Sequence, residues 1–303
     1  MKAPALHFSL PRARVAGEPE GLKGGEPKIF QAATISHANL ANKVVTGPYF
    51  SSDIPMLPFL RVENLETRYG DYVVMRDISF GLKHGEILLI IGGSGCGKST
   101  LLKYLIGLIP SDPGHIFYQG IDFTLASAIQ YEQISRQFGT LFQNGALWSS
   151  MTIAENVALP LKKHTSLSPD AIADLVSLKL ALVGLESCQN LYPSEISGGM
   201  RKLAGLARAM ILDPSILFFD EPSAGLDPIS ARHLDELILN INQSFGATIV
   251  IITHDLESIF TINGRVIFLD AETKSILADG PAKELRDHSD KEKIRKFLSF
   301  HSD

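Results

Sequence analysis

The stretch Gly92-Gly93-Ser94-Gly95-Cys96-Gly97-Lys98-Ser99-Thr100 decides the fold of this 303-residue chain. It fits the pattern G-x-x-x-x-G-K-[ST], follows an apolar run that ends at Ile91, and precedes an amphipathic segment. Glycines at these positions let backbone N–H groups converge on phosphate oxygens without Cβ atoms in the way. The following helix adds the positive end of its dipole. We therefore predict a phosphate-binding loop over residues 92–100.

Three side chains at the end of this loop carry the remaining chemistry. Lys98 is expected to supply a positive charge to the β and γ phosphates, and Ser99 an oxygen ligand to Mg²⁺. Thr100 adds a hydroxyl near the phosphates, and Cys96 is expected to fill space within the loop. Alone, the loop predicts only that ATP or GTP is bound.

Apolar runs alternate with helical segments along the rest of the chain. Five of these runs are predicted strands: Glu86–Ile91, Gly139–Phe142, Ser215–Phe219, Thr248–Thr253 and Arg265–Asp270. Most are continuously apolar, which is typical of parallel strands covered on both faces. Leu and Ala in Leu147–Met210 recur at helical spacing, which predicts a helical insertion, and Leu65–Phe80 alternates as a hairpin does. The fold class is therefore α/β.

Composition limits the organisation and the partners of the chain. Residues 1–57 are rich in Gly, Pro, Ala and Ser without periodicity, which predicts a disordered extension before a domain at 58–300. The formal net charge of −5 makes nucleic acid an unexpected partner. Apolar runs stay shorter than the roughly 18 to 20 residues of a membrane helix. Cys96 and Cys188 alone cannot form a disulfide framework or a thiolate cluster, which favours a reducing compartment.

Polar side chains follow several predicted strands. Asp220 and Glu221 lie at the carboxyl edge of the sheet, where open α/β folds bind ligands. Asp220 would reach Mg²⁺, and Glu221 would orient or deprotonate the attacking water as general base. Gln143 and His254 also follow strands, and Tyr69 lies in the hairpin. These three could complete the site, although each by itself is more often an ordinary core or surface residue.

The segment Ile196-Ser197-Gly198-Gly199-Met200 resembles the signature Leu-Ser-Gly-Gly-Gln of ABC ATPases. The resemblance covers Leu60 to about Asp270. It implies a P-loop NTPase with a RecA-like parallel sheet core, an ABC antiparallel β edge subdomain, and an α-helical subdomain inserted at about 147–210. ATP and Mg²⁺ are the implied cofactors, and transport-coupled ATP hydrolysis is the implied activity. The motifs occur in family order: Tyr69, residues 92–100, Gln143, residues 197–200, Asp220-Glu221, Ser223-Ala224-Gly225-Leu226-Asp227 and His254.

The resemblance also implies that two cassettes pair head to tail over two ATP molecules. Residues 197–199 of one subunit would face the γ-phosphate held by the other. Ser197 can cap the helix that follows, so that its N–H groups and dipole point at phosphate.

Further roles follow from the same resemblance. Tyr69 would stack on adenine, and His254 would hold the γ-phosphate. Gln143 would sense Mg²⁺ and the membrane partner, and Asp227 would signal across the pair. The candidate catalytic residues are thus Glu221, His254 and Gln143, and the candidate Mg²⁺ ligands are Ser99, Gln143 and Asp220.

A narrower resemblance, to the ATPases of Mla-type lipid transporters, lies in LFQNGALWSSMTIAENVALPLKKHT (Leu141–Thr165), PSEISGGMRK (Pro193–Lys202) and the stretch Ile276–Leu298. It implies phospholipid movement between membranes and a peripheral place at the cytoplasmic face of the inner membrane. The implied partners are a second ATPase subunit, an integral membrane permease dimer, an MCE-type substrate-binding protein and often a STAS-type small subunit. Trp148 would lie where a permease helix docks, or belong to the subdomain core.

Two other functions stay open at this point. The core motifs do not encode the substrate, so the ATPase of an amino-acid or other small-solute importer is the second hypothesis. A soluble non-transport ABC ATPase is the third, but Lys98 and Ser197 are too close in sequence to enclose a long coiled-coil arm. Leu203 stands where the family usually has Arg, which puts a basic contact of the signature helix in question.

Overall fold

The computed structural model describes residues 58–299, so the predicted extension over 1–57 lies outside the described residues. Ten strands and nine α-helices follow one another within that range. The strands are β1 Leu60–Tyr69, β2 Tyr72–Leu82, β3 Ile87–Gly92, β4 Ile116–Tyr118, β5 Ile121–Asp122, β6 Phe138–Leu141, β7 Ile216–Asp220, β8 Thr248–Ile252, β9 Arg265–Asp270 and β10 Ser275–Pro281. The helices are α1 Lys98–Leu105, α2 Ala128–Ser135, α3 Ile153–His164, α4 Pro169–Leu182, α5 Gly198–Ala209, α6 Pro228–Phe245, α7 Leu256–Ile262, α8 Ala282–His288 and α9 Glu292–Leu298.

A six-stranded sheet, in the order β10-β9-β3-β8-β7-β6, forms the centre of the described part. All neighbouring pairs from β9 to β6 are parallel, and β10 closes the edge antiparallel to β9. Consecutive residues of each inner strand point to opposite faces: Leu89 and Ile91 join one core cluster, Leu88 and Ile90 the other. Both faces are covered, which explains why the strands are apolar without alternation.

A second, antiparallel sheet packs on the face that α1 also covers. Its strand order is β2-β1-β4-β5, with β1 and β2 joined by the tight turn between Tyr69 and Tyr72. Leu60, Val62 and Leu65 of β1 belong to the same cluster as Leu101 of α1. The edge hairpin therefore positions its turn beside the start of α1.

Helices α3, α4 and α5 lie between β6 and β7 in the chain and pack on the opposite face. Each begins at a side-chain cap: Thr152 accepts a hydrogen bond from Glu155 N at 3.2 Å, and Ser168 from Ala171 N at 3.3 Å. Ser197 accepts from Met200 N at 3.2 Å, so it caps α5 as the sequence predicted.

The predicted fold class is confirmed, with an α/β core, an antiparallel edge sheet and inserted helices. The ends of the predicted core strands differ by about one residue; Phe142, for example, lies outside β6. The hairpin predicted over Leu65–Phe80 is longer and spans Leu60–Leu82. The strands β4, β5 and β10 and the helix α2 were not predicted from the sequence; β4 and β5 are too short to show a detectable period. Within residues 58–299, no helix combines the length and apolar character needed to cross a membrane. The domain limits at 57/58 and about 147–210 stay predictions.

Gly139 lets α5 approach β6 closely. A Cβ at this position would lie 2.3 Å from Ala209 O and 2.6 Å from Leu217 Cδ2. We expect Gly139→Ala to lower the free energy of unfolding by about 1 to 3 kcal/mol, the usual cost of overpacking. Urea denaturation of the full-length chain measures this change.

Gly81→Ala is the matched control, because a Cβ there would meet its nearest neighbour, Pro58, at an ordinary 3.5 Å. An equal effect of both substitutions would contradict the close approach at Gly139.

Candidate active site

The strands β3, β7 and β8 end at the same edge of the large sheet, because they are parallel neighbours. The residues that follow them meet there around a cleft of about 730 Å³. Its walls carry predicted site residues that are far apart in the sequence. They are Tyr69, Gly92, Gly93, Ser94, Gly95, Gly97, Lys98, Ser99, Thr100, Gln143, Glu221 and His254, joined by Tyr72, Val74 and Phe297, which the sequence analysis did not select.

Two glycines of the phosphate-binding loop are required by its close approach to neighbouring strands. Gly92 has φ +146°, and a Cβ there would lie 2.3 Å from Leu269 O. Gly97 has φ +98°, and its Cβ would lie 2.7 Å from Val74 Cγ1. Around Gly93 and Gly95 the space is open, so the loop keeps free volume on the side that faces the cleft.

Lys98 begins α1 and is held over the loop. Its Nζ donates hydrogen bonds to Gly92 O at 2.9 Å and Gly93 O at 3.0 Å, and the residue is 8% exposed. Cys96 is buried beside it, and burial, aided by the charge of Asp270, raises the pKa of its thiol. The cysteine thus fills space below the loop, so any contact with nucleotide would come from its backbone.

Ser99 lines the cleft, and Asp220 lies directly beside it. Ser99 Oγ donates to Asp220 Oδ1 at 2.9 Å. Burial raises the pKa of Asp220, and the charge of Glu221 adds to the rise, whereas the Ser99 hydrogen bond opposes it. A hydroxyl and a carboxylate at this distance are the hard oxygen ligands that Mg²⁺ prefers, so these residues fit the predicted metal.

Glu221 and His254 are brought together by the neighbouring strands β7 and β8. His254 Nδ1 lies 2.8 Å from each carboxylate oxygen of Glu221. The carboxylate is mostly buried, whereas the imidazole is largely exposed. Glu221 has φ +50°, uncommon for a residue other than glycine, and its N–H donates to Ile252 O at 2.9 Å.

The edge hairpin contributes two exposed aromatic rings. Tyr69 and Tyr72 flank the β1–β2 turn and are 52% and 65% exposed. Lys103 Nζ donates to Tyr69 Oη at 3.2 Å; this hydrogen bond, with a second from Thr100, lowers the pKa of the phenol. Flat apolar faces at the rim of a phosphate cleft suit a stacked base.

Six predicted residues within 58–299 do not line this cleft. Cys96 and Asp220 lie directly beside lining residues, whereas the other four belong to the starts of two helices. Ser197, Gly198 and Gly199 form the start of α5. Asp227 caps α6, accepting hydrogen bonds from Ile229 N at 3.1 Å and Ser230 N at 3.0 Å. The Ser230 hydroxyl, which donates to Asp227 Oδ2 at 2.5 Å, lowers the pKa of Asp227 most, and the backbone hydrogen bonds add to this effect.

Two cations of α5, missed by the sequence analysis, hold the loops of the site. Lys202 Nζ donates to backbone carbonyls just after the strand β7, and Arg208 donates to Gly145 O at 2.8 Å and Ala146 O at 2.7 Å. Leu203 itself packs against the apolar core. The buried basic contact of α5 is made instead by the preceding residue, Lys202. Nothing in an isolated helical pattern distinguishes such a lysine from a solvated one.

Comparison with known proteins adds to this geometry. The family profile described as ABC transporter matches residues 75–224. A probable ribonucleotide transport ATP-binding protein, mkl, of Mycobacterium tuberculosis is 41% identical over 81% of this chain and 67% of its own length. The intermembrane phospholipid transport system ATP-binding protein MlaF of Haemophilus influenzae is 36% identical over 80% of this chain and 91% of its own length. MlaF of Escherichia coli K12 is 37% identical, over 77% and 86%.

Solved structures agree with these relatives. A dimeric ATP-binding cassette in a post-hydrolysis state, bound to ADP and Pi, has a TM-score of 0.67 at 26% identity, covering 73% of this chain and 98% of that one. CbiO1 of Clostridium perfringens, part of an ABC transporter complex, has a TM-score of 0.67 at 28% identity, covering 79% and 94%.

The sequence-based resemblance, the ATPase activity and the cofactors ATP and Mg²⁺ are confirmed by these matches. ATPases of this family are peripheral and work as dimers with membrane permeases. The family profile, the relatives and the cleft geometry agree, and the chain therefore belongs to the ATP-binding subunits of ABC transporters.

Proposed function

We propose that this chain hydrolyses ATP to drive phospholipid transport between membranes. The observation that supports phospholipid as the substrate is the similarity of this chain to the MlaF proteins, which extends over 86% to 91% of their length. Within Leu141–Thr165, the segment that resembles Mla-type ATPases, Trp148 is 62% exposed and available to a permease. Tryptophan is enriched at protein–protein interfaces, which makes Trp148 the proposed permease contact.

ATP binding is proposed to use the phosphate-binding loop and the aromatic rim. Backbone N–H groups of residues 92–100 and the N-terminus of α1 would hold the phosphates. Lys98 would exchange its two carbonyl partners for β- and γ-phosphate oxygens, a stronger charge-assisted pairing. Tyr69 would stack on adenine. Ser99, Asp220 and Gln143 would hold Mg²⁺, which offsets phosphate charge when bound.

Hydrolysis is proposed to use Glu221 as the general base. Its carboxylate is held by His254, and a fixed carboxylate near the γ-phosphate can orient a water and accept its proton. His254 is exposed enough to contact the γ-phosphate through Nε2 while Nδ1 keeps its bond to Glu221.

The proposed active unit contains two copies of the chain. The first turn of α5 presents N–H groups capped only in part by Ser197, together with the positive end of the helix dipole. Since residues 197–199 lie outside their own cleft, they would complete the cleft of the second copy. Asp227 would lie at the same junction.

The remaining proposed partners follow from the Mla resemblance. They are an integral membrane permease dimer, an MCE-type substrate-binding protein and a STAS-type small subunit. The proposed location is the cytoplasmic face of the inner membrane.

A second candidate, transport of a small polar solute, is favoured by the mycobacterial relatives, whose name is probable ribonucleotide transport ATP-binding protein. Reconstitution of the full-length chain with its permease in proteoliposomes separates the two. We expect ATP-dependent movement of a fluorescent phospholipid, and no ATP-dependent uptake of radiolabelled ribonucleotide. Ribonucleotide uptake without lipid movement would reverse the assignment.

We expect Glu221→Gln to lower the ATPase kcat by at least about a hundredfold, as loss of a general base does. The amide keeps the size of the side chain and its hydrogen bond to His254, so ATP affinity should change little. Steady-state ATPase assays and a titration with a fluorescent ATP analogue measure the two effects. Unchanged turnover would refute the role of Glu221.

Lys98→Ala tests the phosphate-binding loop separately. Hydrogen bonds to charged groups are each worth about 1.5 to 3 kcal/mol, so nucleotide affinity should fall about tenfold or more. Lys283→Ala is the control, since Lys283 is exposed on α8. Equal affinities of the two variants would contradict the proposed contact.

A further inference from the structure

Lys202 is a buried lysine in the second turn of α5. It is 5% exposed, and its ammonium group donates to Pro222 O at 2.7 Å, Ala224 O at 2.5 Å and Glu221 O at 3.3 Å. An ammonium group has three donors, and here three carbonyl oxygens converge on it. Burying a charge is costly unless it is fully hydrogen-bonded, so this arrangement fixes the side chain and the carbonyls together.

The loop that Lys202 holds begins with the proposed general base. Glu221 adopts φ +50°, a conformation that a non-glycine residue keeps only when its surroundings impose it. Its N–H is held by Ile252 O of β8. Its carbonyl oxygen is held from the other side by Lys202. The backbone at residue 221 is therefore fixed between the central sheet and α5.

The same helix carries the signature residues at its start. Ser197 caps α5, and Lys202 lies just over one turn further along. Near the end of α5, Arg208 donates hydrogen bonds to the carbonyls of Gly145 and Ala146, which follow Gln143. Gly205 allows close contact there, because a Cβ would lie 3.0 Å from Gly145 Cα. A displacement of α5 must therefore move both loops.

We propose that Lys202 is a positioning residue that couples the signature helix to the general base of the same subunit. The γ-phosphate held by the second copy would bind at residues 197–199 and shift or fix α5. Lys202 would transmit this change in the position of α5 to residues 221–224. Engagement of α5 would then keep the carboxylate of Glu221 aligned during hydrolysis, because the backbone at residue 221 is tied to the helix. This inference rests on the proposed role of Glu221 as the base.

The test compares Lys202→Met with Lys202→Arg in the full-length chain. Methionine keeps an unbranched stem and removes the charge, whereas arginine keeps a cation with several donors. We expect Lys202→Met to lower kcat about ten- to hundredfold, the loss that about 1 Å of misplacement can cause, with KM for ATP changed less than about twofold. Lys202→Arg should keep a higher kcat than Lys202→Met, because it retains a cation with N–H donors for the same carbonyls.

A double-mutant cycle with Glu221→Gln separates positioning from general structural damage. If Lys202 acts through Glu221, adding Lys202→Met to Glu221→Gln should lower kcat no further. Thermal unfolding monitors stability, and Lys283→Met is the exposed control. If Lys202→Met does not fold, Lys202→Gln, which has two N–H donors and no charge, takes its place in the cycle.

Three outcomes would overturn the inference: wild-type kcat in Lys202→Met, additive losses in the double mutant, or a fall in nucleotide affinity equal to the fall in kcat. Unchanged turnover in Glu221→Gln alone would instead refute the proposed role of Glu221 as the base. This failure is distinguishable from failure of the Lys202 proposal, because the single variant keeps Lys202.

Discussion

The parallel pairing of β3, β8 and β7 is the constraint on which the site depends. Ile252 of β8 lies beside Ile90 of β3 on one side and Asp220 of β7 on the other. The three chain segments that leave these strands must therefore begin at one edge. This register brings the phosphate-binding loop, Glu221 and His254 together, although long stretches of sequence separate them. Close packing on both sheet faces keeps the register fixed, because a slip would exchange the side chains that fit the two core clusters.

The inserted helices add a second level of order. Lys202 and Arg208 of α5 donate hydrogen bonds to backbone carbonyls that follow Glu221 and Gln143, respectively. Charged side chains that bind carbonyl oxygens in a buried place hold loops more firmly than apolar contact does, because leaving a partner unpaired is costly. The start of α5 carries the signature residues, outside the cleft of its own chain. The geometry thus separates the groups that hold ATP from those proposed to complete the site in a second copy.

Features that depend on local spacing could be predicted from the sequence. The glycines, Lys98 and Ser99 form one continuous loop, and Asp220 and Glu221 directly follow an apolar run. Strand and helix periods are also local, so the α/β class and the core strands were predictable to within about one residue. Placement after strands or in the hairpin suggested Tyr69, Gln143 and His254, which carry little signal alone, and the family resemblance gave them roles. The structure places all three at the cleft.

The sequence by itself thus determined the nucleotide chemistry and the class of fold, since both depend on short spacings. Only the tertiary structure decided which distant side chains support that chemistry. Lys202 reaches carbonyls of residues 221–224, and Phe297 of the last helix lines the cleft, through contacts between elements far apart in the chain. A lysine within a helical pattern is usually solvated. Its burial depends on the packing of α5 against β6 and beside the loop that follows β7, which no local pattern encodes.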